Sequence, residues 1–82
     1  MELPEIKLTD GRVAKFVRRP KAKDASKAHR IAGPKGTDVD RSAAYIAQIV
    51  EIDGSPVTME DVLELYQDDY ETLTTSIPTN FS

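Results

Sequence analysis

The chain of 82 residues contains no cysteine. A disulfide staple and a thiolate metal site are therefore both excluded, although small folds often depend on one or the other. Because a chain of this length buries only about 60 to 65% of its unfolded surface, its core must be modest. We expect one small domain over residues 1–82, in a reducing compartment, with a partner or a second copy adding stability.

Long apolar runs are also missing, since no window approaches the ~18 apolar residues that a membrane span requires. The first residues, MELPEIKLTDG, lack the basic and then apolar layout of a signal peptide. We therefore expect a soluble cytoplasmic protein with no membrane partner.

The second half of the chain has no positive side chains. All eleven Lys/Arg lie in residues 1–41 with six acids, which gives this half a charge of +5, and residues 42–82 hold eight acids, which gives −8. Such a chain can fold its halves against each other, stack head to tail with copies of itself, or present one half to an oppositely charged partner.

The basic stretch KFVRRPKAKDASKAHR raises the question of nucleic-acid binding. Its basic patch, Arg18, Arg19, Lys21 and Lys23, could follow phosphates while Phe16 stacks on a base. However, the pI of about 5.0 is far from the basic footprint of such proteins, and no helix-turn-helix or zinc spacing accompanies the charge. Nucleic acid is therefore the alternative, and an acidic protein surface is the favoured partner: a copy of the chain, its own acidic half or a client.

The string EIKLTDGRVAKFVRR alternates apolar and polar residues around an Asp-Gly turn, which predicts a β-hairpin. Two registers are open. A two-residue loop would put Val13 and Val17 on the buried face, whereas a three-residue loop with Gly11 in a bulge would put Ala14 and Phe16 there.

Three helices are predicted after this hairpin. The second carries apolar residues at four-three-four spacing, and the third has the clearest start: Thr58 and Asp61 form a capping box, and Val57 and Val62 a hydrophobic staple. The fold class is therefore α+β, an N-terminal β-hairpin followed by three α-helices. The predicted bounds are 5–18 for the hairpin, 25–32, 38–51 and 59–75 for the helices, and 78–82 for a frayed tail.

The periodicity of these elements also predicts the core. The second helix carries further apolar residues off its main stripe, which is typical either of the middle helix of a packed set or of a contact surface. The expected core residues are Leu8, Ala28, Ile31, Val39, Ala43, Ile46, Val50, Val62, Leu63, Tyr66 and Leu73.

Side chains suited to catalysis are scarce. His29 is the one histidine, so neither a zinc site nor a Ser-His dyad can be built around it, and we expect a surface residue. Asp68 and Asp69 are neighbours on the predicted helix, where they point about 100° apart, and both are expected on its solvated side. We predict no catalytic residues, no metal site and no cofactor, and therefore not an enzyme.

The order of elements resembles a known family. The segments IKLTDGRVAKFVRRP, RRPKAKDASKA, AAYIAQIVEIDGSPVT and MEDVLELYQDDYETLTTSI together are similar to the small tail assembly chaperones of Mu-like and related long-tailed bacteriophages and prophages. The Arg-Pro-x(n)-Asp pattern of that family matches Arg19, Pro20 and Asp24. Its closing helix pattern matches Leu65, Asp69 and Leu73, whereas the GPKG loop and Pro78 depart from the family pattern.

This resemblance implies a protein without enzymatic activity in the bacterial host cytoplasm. Members of the family bind the long, aggregation-prone tape-measure protein and hold it soluble while tail-tube subunits assemble around it. The implied partners are the tape-measure protein and, as a further candidate, the tail-tube protein, with self-association left open. The alternative function is a small basic-patch nucleic-acid-binding or regulatory protein of a mobile element.

The expected client site lies on the last helix. Leu65 lies about 60° outside its apolar stripe, Tyr70 carries a hydroxyl that prefers a wet edge, and Ile77 and Phe81 extend past the point that a three-helix core easily covers. These four residues would form an exposed patch for an amphipathic client helix. The alternative is that Tyr70 and Ile77 complete the core and that Leu65 is an ordinary exposed leucine.

Overall fold

A computed structural model describes residues 2–78 of the chain. Two antiparallel hairpins join into one four-stranded sheet in which the strands follow chain order. The α+β class is therefore confirmed, but the expectation of one hairpin and three helices is wrong in detail. The elements are β1 (Glu5–Lys7), β2 (Val13–Phe16), α1 (Ala22–Ala32), α2 (Asp38–Ala47), β3 (Val50–Ile52), β4 (Ser55–Pro56), α3 (Met59–Leu63) and α4 (Gln67–Thr75).

The first hairpin has the register of a three-residue loop. Ile6 pairs with Ala14, and the Leu8 amide donates to the Arg12 carbonyl at 2.8 Å across the turn. Gly11 has φ +95°, a left-handed conformation that glycine adopts without steric cost. Ala14 and Phe16 consequently lie on the buried face of the sheet, as the second of the two predicted registers requires.

A second hairpin replaces the predicted end of the second helix. α2 ends at Ala47 rather than at residue 51, because Ile49, Val50 and Ile52 are β-branched residues that pack well on a pleated sheet. Asp53 (φ 51°) and Gly54 (φ 80°) then form the two-residue turn of β3 and β4. Asp53 also links the hairpins, since its Oδ1 accepts from the Val13 amide at 3.0 Å.

The predicted third helix is broken into two. α3 ends at Leu63, and Tyr66 has extended backbone (φ −62°, ψ 151°) as the N-cap of α4. Asp68 and Asp69 lie in the first turn of α4, where carboxylates favour a new helix start. On either side of the break, α3 buries Val62 and α4 buries Leu73 in the same core.

The first helix begins at Ala22, three residues before its predicted start. Asp24 stabilises this start, because its Oδ2 accepts from the Lys21 amide at 2.7 Å. The loop that follows α1 packs closely against it: a Cβ at Gly36 would lie 2.7 Å from the Ala32 Cβ. Only glycine fits this approach without a shift of the chain.

The core lies between one face of the sheet and the helices α2, α3 and α4. Seven of the eleven expected core residues are buried: Leu8, Ala28, Ala43, Ile46, Val50, Val62 and Leu73. Four expectations are wrong, because the side chains are 37 to 69% exposed: Ile31, Val39, Leu63 and Tyr66. The break in the last helix turns Leu63 and Tyr66 outward, and Ile31 and Val39 lie on parts of α1 and α2 that no other element covers.

Candidate functional site

An open groove runs over α2 between α1 and α3. Both neighbouring helices pack against α2 and flank it, so that each forms one wall of the groove. The cavity has a volume of about 440 Å³. Its lining residues are Lys27, Ile31, Ala44, Ala47, Gln48, Val57, Thr58, Met59 and Glu60.

The floor of the groove is made of small residues and its walls of large apolar ones. Ala44 and Ala47, one helical turn apart on α2, leave room above the helix, whereas Ile31 on α1 and Met59 on α3 stand on either side. Ile31 is 45% exposed although its side chain is fully apolar. The accessible apolar surface of the groove therefore comes from Ile31, Ala47 and Met59, since Ala44 has no exposed surface.

The rims of the groove have opposite charges. Lys27 lies on the α1 side and Glu60 on the α3 side, and both side chains are exposed. A helix lying in the groove would meet a positive group along one flank and a negative group along the other. This asymmetry favours one orientation of a charged amphipathic partner.

A polar cluster fixes α1 relative to α2. The Arg18 guanidinium donates two hydrogen bonds to the Asp24 carboxylate, at 2.7 and 2.8 Å, and the carboxylate is almost fully buried. The Gln48 side-chain amide donates to the Asp24 backbone carbonyl at 2.9 Å. β2, α1 and the end of α2 are thereby joined, and the α1 wall of the groove is held in place.

The charge of Arg18 governs the titration of its partner. Hydrogen bonds from the Arg18 guanidinium lower the pKa of Asp24 from 3.8 to about 2, against the opposing effect of burial. The Lys21 amide contributes in the same direction. Asp24 consequently stays ionised, and the pair stays intact, at any pH near neutrality.

The other wall is fixed by a capping box and a buried carboxylate. Thr58 Oγ1 accepts from the Asp61 amide while Asp61 accepts from the Thr58 amide, as predicted from the sequence. Asp69 on α4 accepts from both the amide and the hydroxyl of Thr9 in the first hairpin loop, the latter at 2.8 Å. The expectation that Asp69 is solvated is therefore wrong, because this residue is 5% exposed and holds α4 against the sheet.

The predicted basic patch is divided by the fold. Arg18 is engaged with Asp24, whereas Arg19 and Lys21 border a cavity of about 570 Å³ together with Tyr45. Burial, assisted by the charge of Asp24, raises the pKa of the Tyr45 phenol. Lys23 lines a different cavity, shared with Lys27 and Arg30, and Arg18 lines both, so the four predicted residues are spread over two neighbouring cavities.

The predicted client residues contact the core. Leu65, Tyr70 and Ile77 are half-buried and pack against the central apolar cluster, as the alternative for Tyr70 and Ile77 predicts, and the continuous helix expected to carry them is broken. Their part in client binding stays a prediction. Phe81 and the rest of the predicted tail from residue 79 onward lie outside the described residues. The 60° offset assigned to Leu65 does not apply, since α3 has ended before this residue.

Sequence reasoning missed the groove for identifiable reasons. Ile31 was expected in the core, because an apolar residue near the end of an amphipathic helix usually faces inward. The spacing of Ala44 and Ala47 was the available signal, since small residues one turn apart permit close approach of another element. The second apolar side predicted for the second helix, Tyr45, Ile49 and Ile52, does not line the groove.

The described residues contain no group of three or more His, Cys, Asp or Glu side chains placed to hold a metal ion. His29 is exposed beside α2 and lines a shallow cavity with Asp38, Arg41 and Tyr45. Within residues 2–78, no helix is both long enough and apolar enough to cross a membrane.

Comparison of the chain with protein-family models, with curated proteins and with solved structures finds no match.

Proposed function

We propose that the protein is a non-enzymatic binding protein that receives an amphipathic helix of a client in the groove beside α2. The observation that carries this proposal is the exposed apolar lining of the groove, with Ile31 and Met59 as walls and Ala47 as part of the floor. Helix-in-groove recognition uses this combination of apolar floor and charged rims.

The proposed client is the tape-measure protein of a long-tailed phage or prophage. The order of segments along the chain, which is similar to small tail assembly chaperones, supports this choice. A tape-measure protein is long and helical, so it offers many amphipathic segments that need cover before the tail tube encloses them. The proposed site of action is the bacterial host cytoplasm, with the tail-tube protein as a further candidate partner.

Co-expression with the tape-measure protein of the same phage tests the proposal. Ile31→Gln should leave the protein folded, because the side chain is already 45% exposed, but should let the client precipitate. Loss of one buried isoleucine contact corresponds to about 1.5 to 3 kcal/mol, which is about tenfold or more in affinity for a client peptide.

Val39→Gln is the matched control. Val39 is also a β-branched residue on a helix, and it is 49% exposed but outside the groove. This variant should keep the client soluble as the wild type does. The proposal is wrong if the two variants behave alike, or if the client is equally soluble when the protein is absent.

The alternative function, nucleic-acid binding, is supported by the cavity between Arg19, Lys21 and Tyr45. It combines two cations with an aromatic ring, which suits a phosphate backbone and a stacked base. Under this alternative, affinity for arbitrary DNA or RNA should fall steeply with salt, and Arg19→Gln with Lys21→Gln should weaken it for all sequences. Under the client hypothesis, binding at physiological salt should be negligible.

A further inference from the structure

Ion pairs do not join the two charged halves within residues 2–78. This part of the chain contains three ion pairs within 4.0 Å, and each joins two residues of the basic half: Arg12 with Asp10, Arg18 with Asp24, and Arg41 with Asp38. Lys15 and Glu51 lie opposite each other on β2 and β3, so the possibility that the basic stretch faces its own acidic half stays open at that strand pair. Among the described residues, the cations of α1 form no ion pair with the acidic half.

The basic surface lies on α1. Lys23, Lys27 and Arg30 follow one another at a spacing of four and three residues, so they share one side of the helix. All three are exposed and line one cavity of about 380 Å³, which we call the basic face. The carboxylate in that cavity, Asp24, is paired with Arg18 and also feels the charge of Lys23, but no ion pair joins it to Lys27 or Arg30, so like charges repel along the helix.

The acidic surface lies at α3 and α4. Glu64 follows the last turn of α3, and Asp68 and Glu71 are one turn apart on α4. We call these three exposed residues the acidic face. The hydrogen bond that Glu71 accepts comes from the neutral amide of Gln67, which leaves the carboxylate charge uncompensated.

The two faces are not joined within one molecule. They lie on different helices, and no ion pair within residues 2–78 joins a residue of the basic face to a residue of the acidic face. A second copy carries a complementary surface for each of them.

We propose that the basic face of one copy docks on the acidic face of the next, so that the protein associates head to tail. Because the two surfaces are different, the contact is heterologous, and each added copy again leaves one basic and one acidic face free. The contact is electrostatic, so it strengthens as salt is lowered. The basic face includes Lys27, which also forms one rim of the groove beside α2, so the contact borders the groove.

A second copy accounts for the charges better than a nucleic acid does. A phosphate backbone would match the basic face, but it would repel the half of the chain that carries −8, and the whole chain has a net charge of −3. A second copy matches both faces at once. The complementarity of the two surfaces is therefore the argument for self-association.

Sedimentation of the full chain tests this proposal with two charge-reversed variants. Lys23→Glu with Arg30→Glu makes both faces acidic, and Glu64→Lys with Glu71→Lys makes both faces basic; none of these four residues lines the groove. At about 0.02 M salt the wild-type mass should rise with concentration past that of two copies, and at about 1 M salt it should return to the 9.1 kDa of one chain. Each variant alone should stay monomeric, and an equal mixture of the two should associate.

Lys7→Glu with Lys35→Glu is the control, since it changes the net charge as the first variant does but at exposed positions outside both faces. This control should associate as the wild type does, and circular dichroism should show that every variant is folded. A wild type that stays monomeric at low salt, a mixture that fails to associate, or a control that abolishes association would overturn the proposal. A monomeric wild type that binds arbitrary duplex DNA through Lys23 and Arg30 would overturn it in favour of nucleic acid.

Discussion

The two sides of α2 use similar residues in different surroundings. Toward the sheet, Ala43 and Ile46 have no exposed surface, because Phe16 and Leu73 cover them. Between α1 and α3, Ala44 is also fully buried, but Ala47 is half-buried at the floor of a groove whose wall residue Ile31 is 45% exposed. An apolar side of a helix is therefore not evidence of a core by itself; what covers it decides whether it contributes to stability or is available for binding.

The largest effect on stability is expected from truncating Phe16, the largest of the fully buried side chains. Phe16→Ala should cost about 3 to 5 kcal/mol, since Phe16 is fully buried and its loss leaves a cavity. For a domain this small, that is a large share of the total free energy of unfolding. Chemical denaturation measures the change.

Val17→Ala is the control for Phe16→Ala. Val17 is the next residue along the chain, points away from the core and is 41% exposed, so its truncation should cost less than about 1 kcal/mol. Equal costs for the two substitutions would show that the sheet does not bury its face as described.

A second prediction concerns the cluster that holds the α1 wall. Asp24→Asn should cost about 2 kcal/mol, because the buried carboxylate loses its charge-assisted bonds to Arg18. Asp10→Asn, at an exposed pair with Arg12, is the control and should cost far less. Similar losses for the two would contradict a structural role for Asp24.

The same cluster gives a pH dependence with a defined sign. The pKa of Asp24 is lowered from 3.8 in the unfolded chain to about 2 in the fold. Its contribution to stability is therefore complete above pH 3.8 and is lost as the pH falls through 2. In denaturation experiments from pH 5 to pH 2, the wild type should lose about 2 kcal/mol of its free energy of unfolding through Asp24, and Asp24→Asn should lack this loss. If the free energies of the two proteins fall in parallel with pH, the pairing of Asp24 with Arg18 is contradicted.

A smaller effect is expected where α4 meets the hairpin loop. Thr9→Val keeps the shape of the side chain but removes the hydroxyl that donates to Asp69. The expected cost is about 1 kcal/mol, since the Thr9 amide still donates to the carboxylate. Amide hydrogen exchange in α4 should increase at the same time, and unchanged exchange would show that this contact does not hold the helix.

The smallest effect on stability is expected in the groove. Ile31→Gln should change the free energy of unfolding by no more than about 0.5 kcal/mol, because the Ile31 side chain is already 45% exposed in the folded protein. A loss comparable to that of Phe16→Ala would show that Ile31 belongs to the core. Denaturation of Ile31→Gln and Val39→Gln side by side distinguishes the two cases.

The local signals in the sequence predicted local structure well. The Asp-Gly turn after Leu8 and the Thr58 capping box both appear where the sequence placed them. The Asp53-Gly54 turn carries the same hairpin signal, but the four-three-four spacing through Val50 favoured a helix. That spacing could not be distinguished from a helix followed by a strand, because both bury Ile46 and Val50.

The contacts that form the site could not be predicted in the same way. Asp69 binds Thr9 across sixty residues, and Gln48 binds the Asp24 carbonyl across twenty-four. Such pairings depend on how the elements pack, not on the spacing within any one of them. The groove arises from the packing of α1 and α3 against α2, so spacing within one helix could not reveal it, and Ile31 was expected in the core.

The central claim is that the side of α2 between α1 and α3 is a binding surface. Backbone amide NMR shifts measured during titration with a synthetic amphipathic helix of the tape-measure protein test it most directly. We predict that the largest changes fall on Ile31, Ala47 and Met59 and that Lys7 and Lys15, on the outer face of the sheet, do not move. Changes centred on the outer face of the sheet or on α4, or no changes at all, would contradict the account.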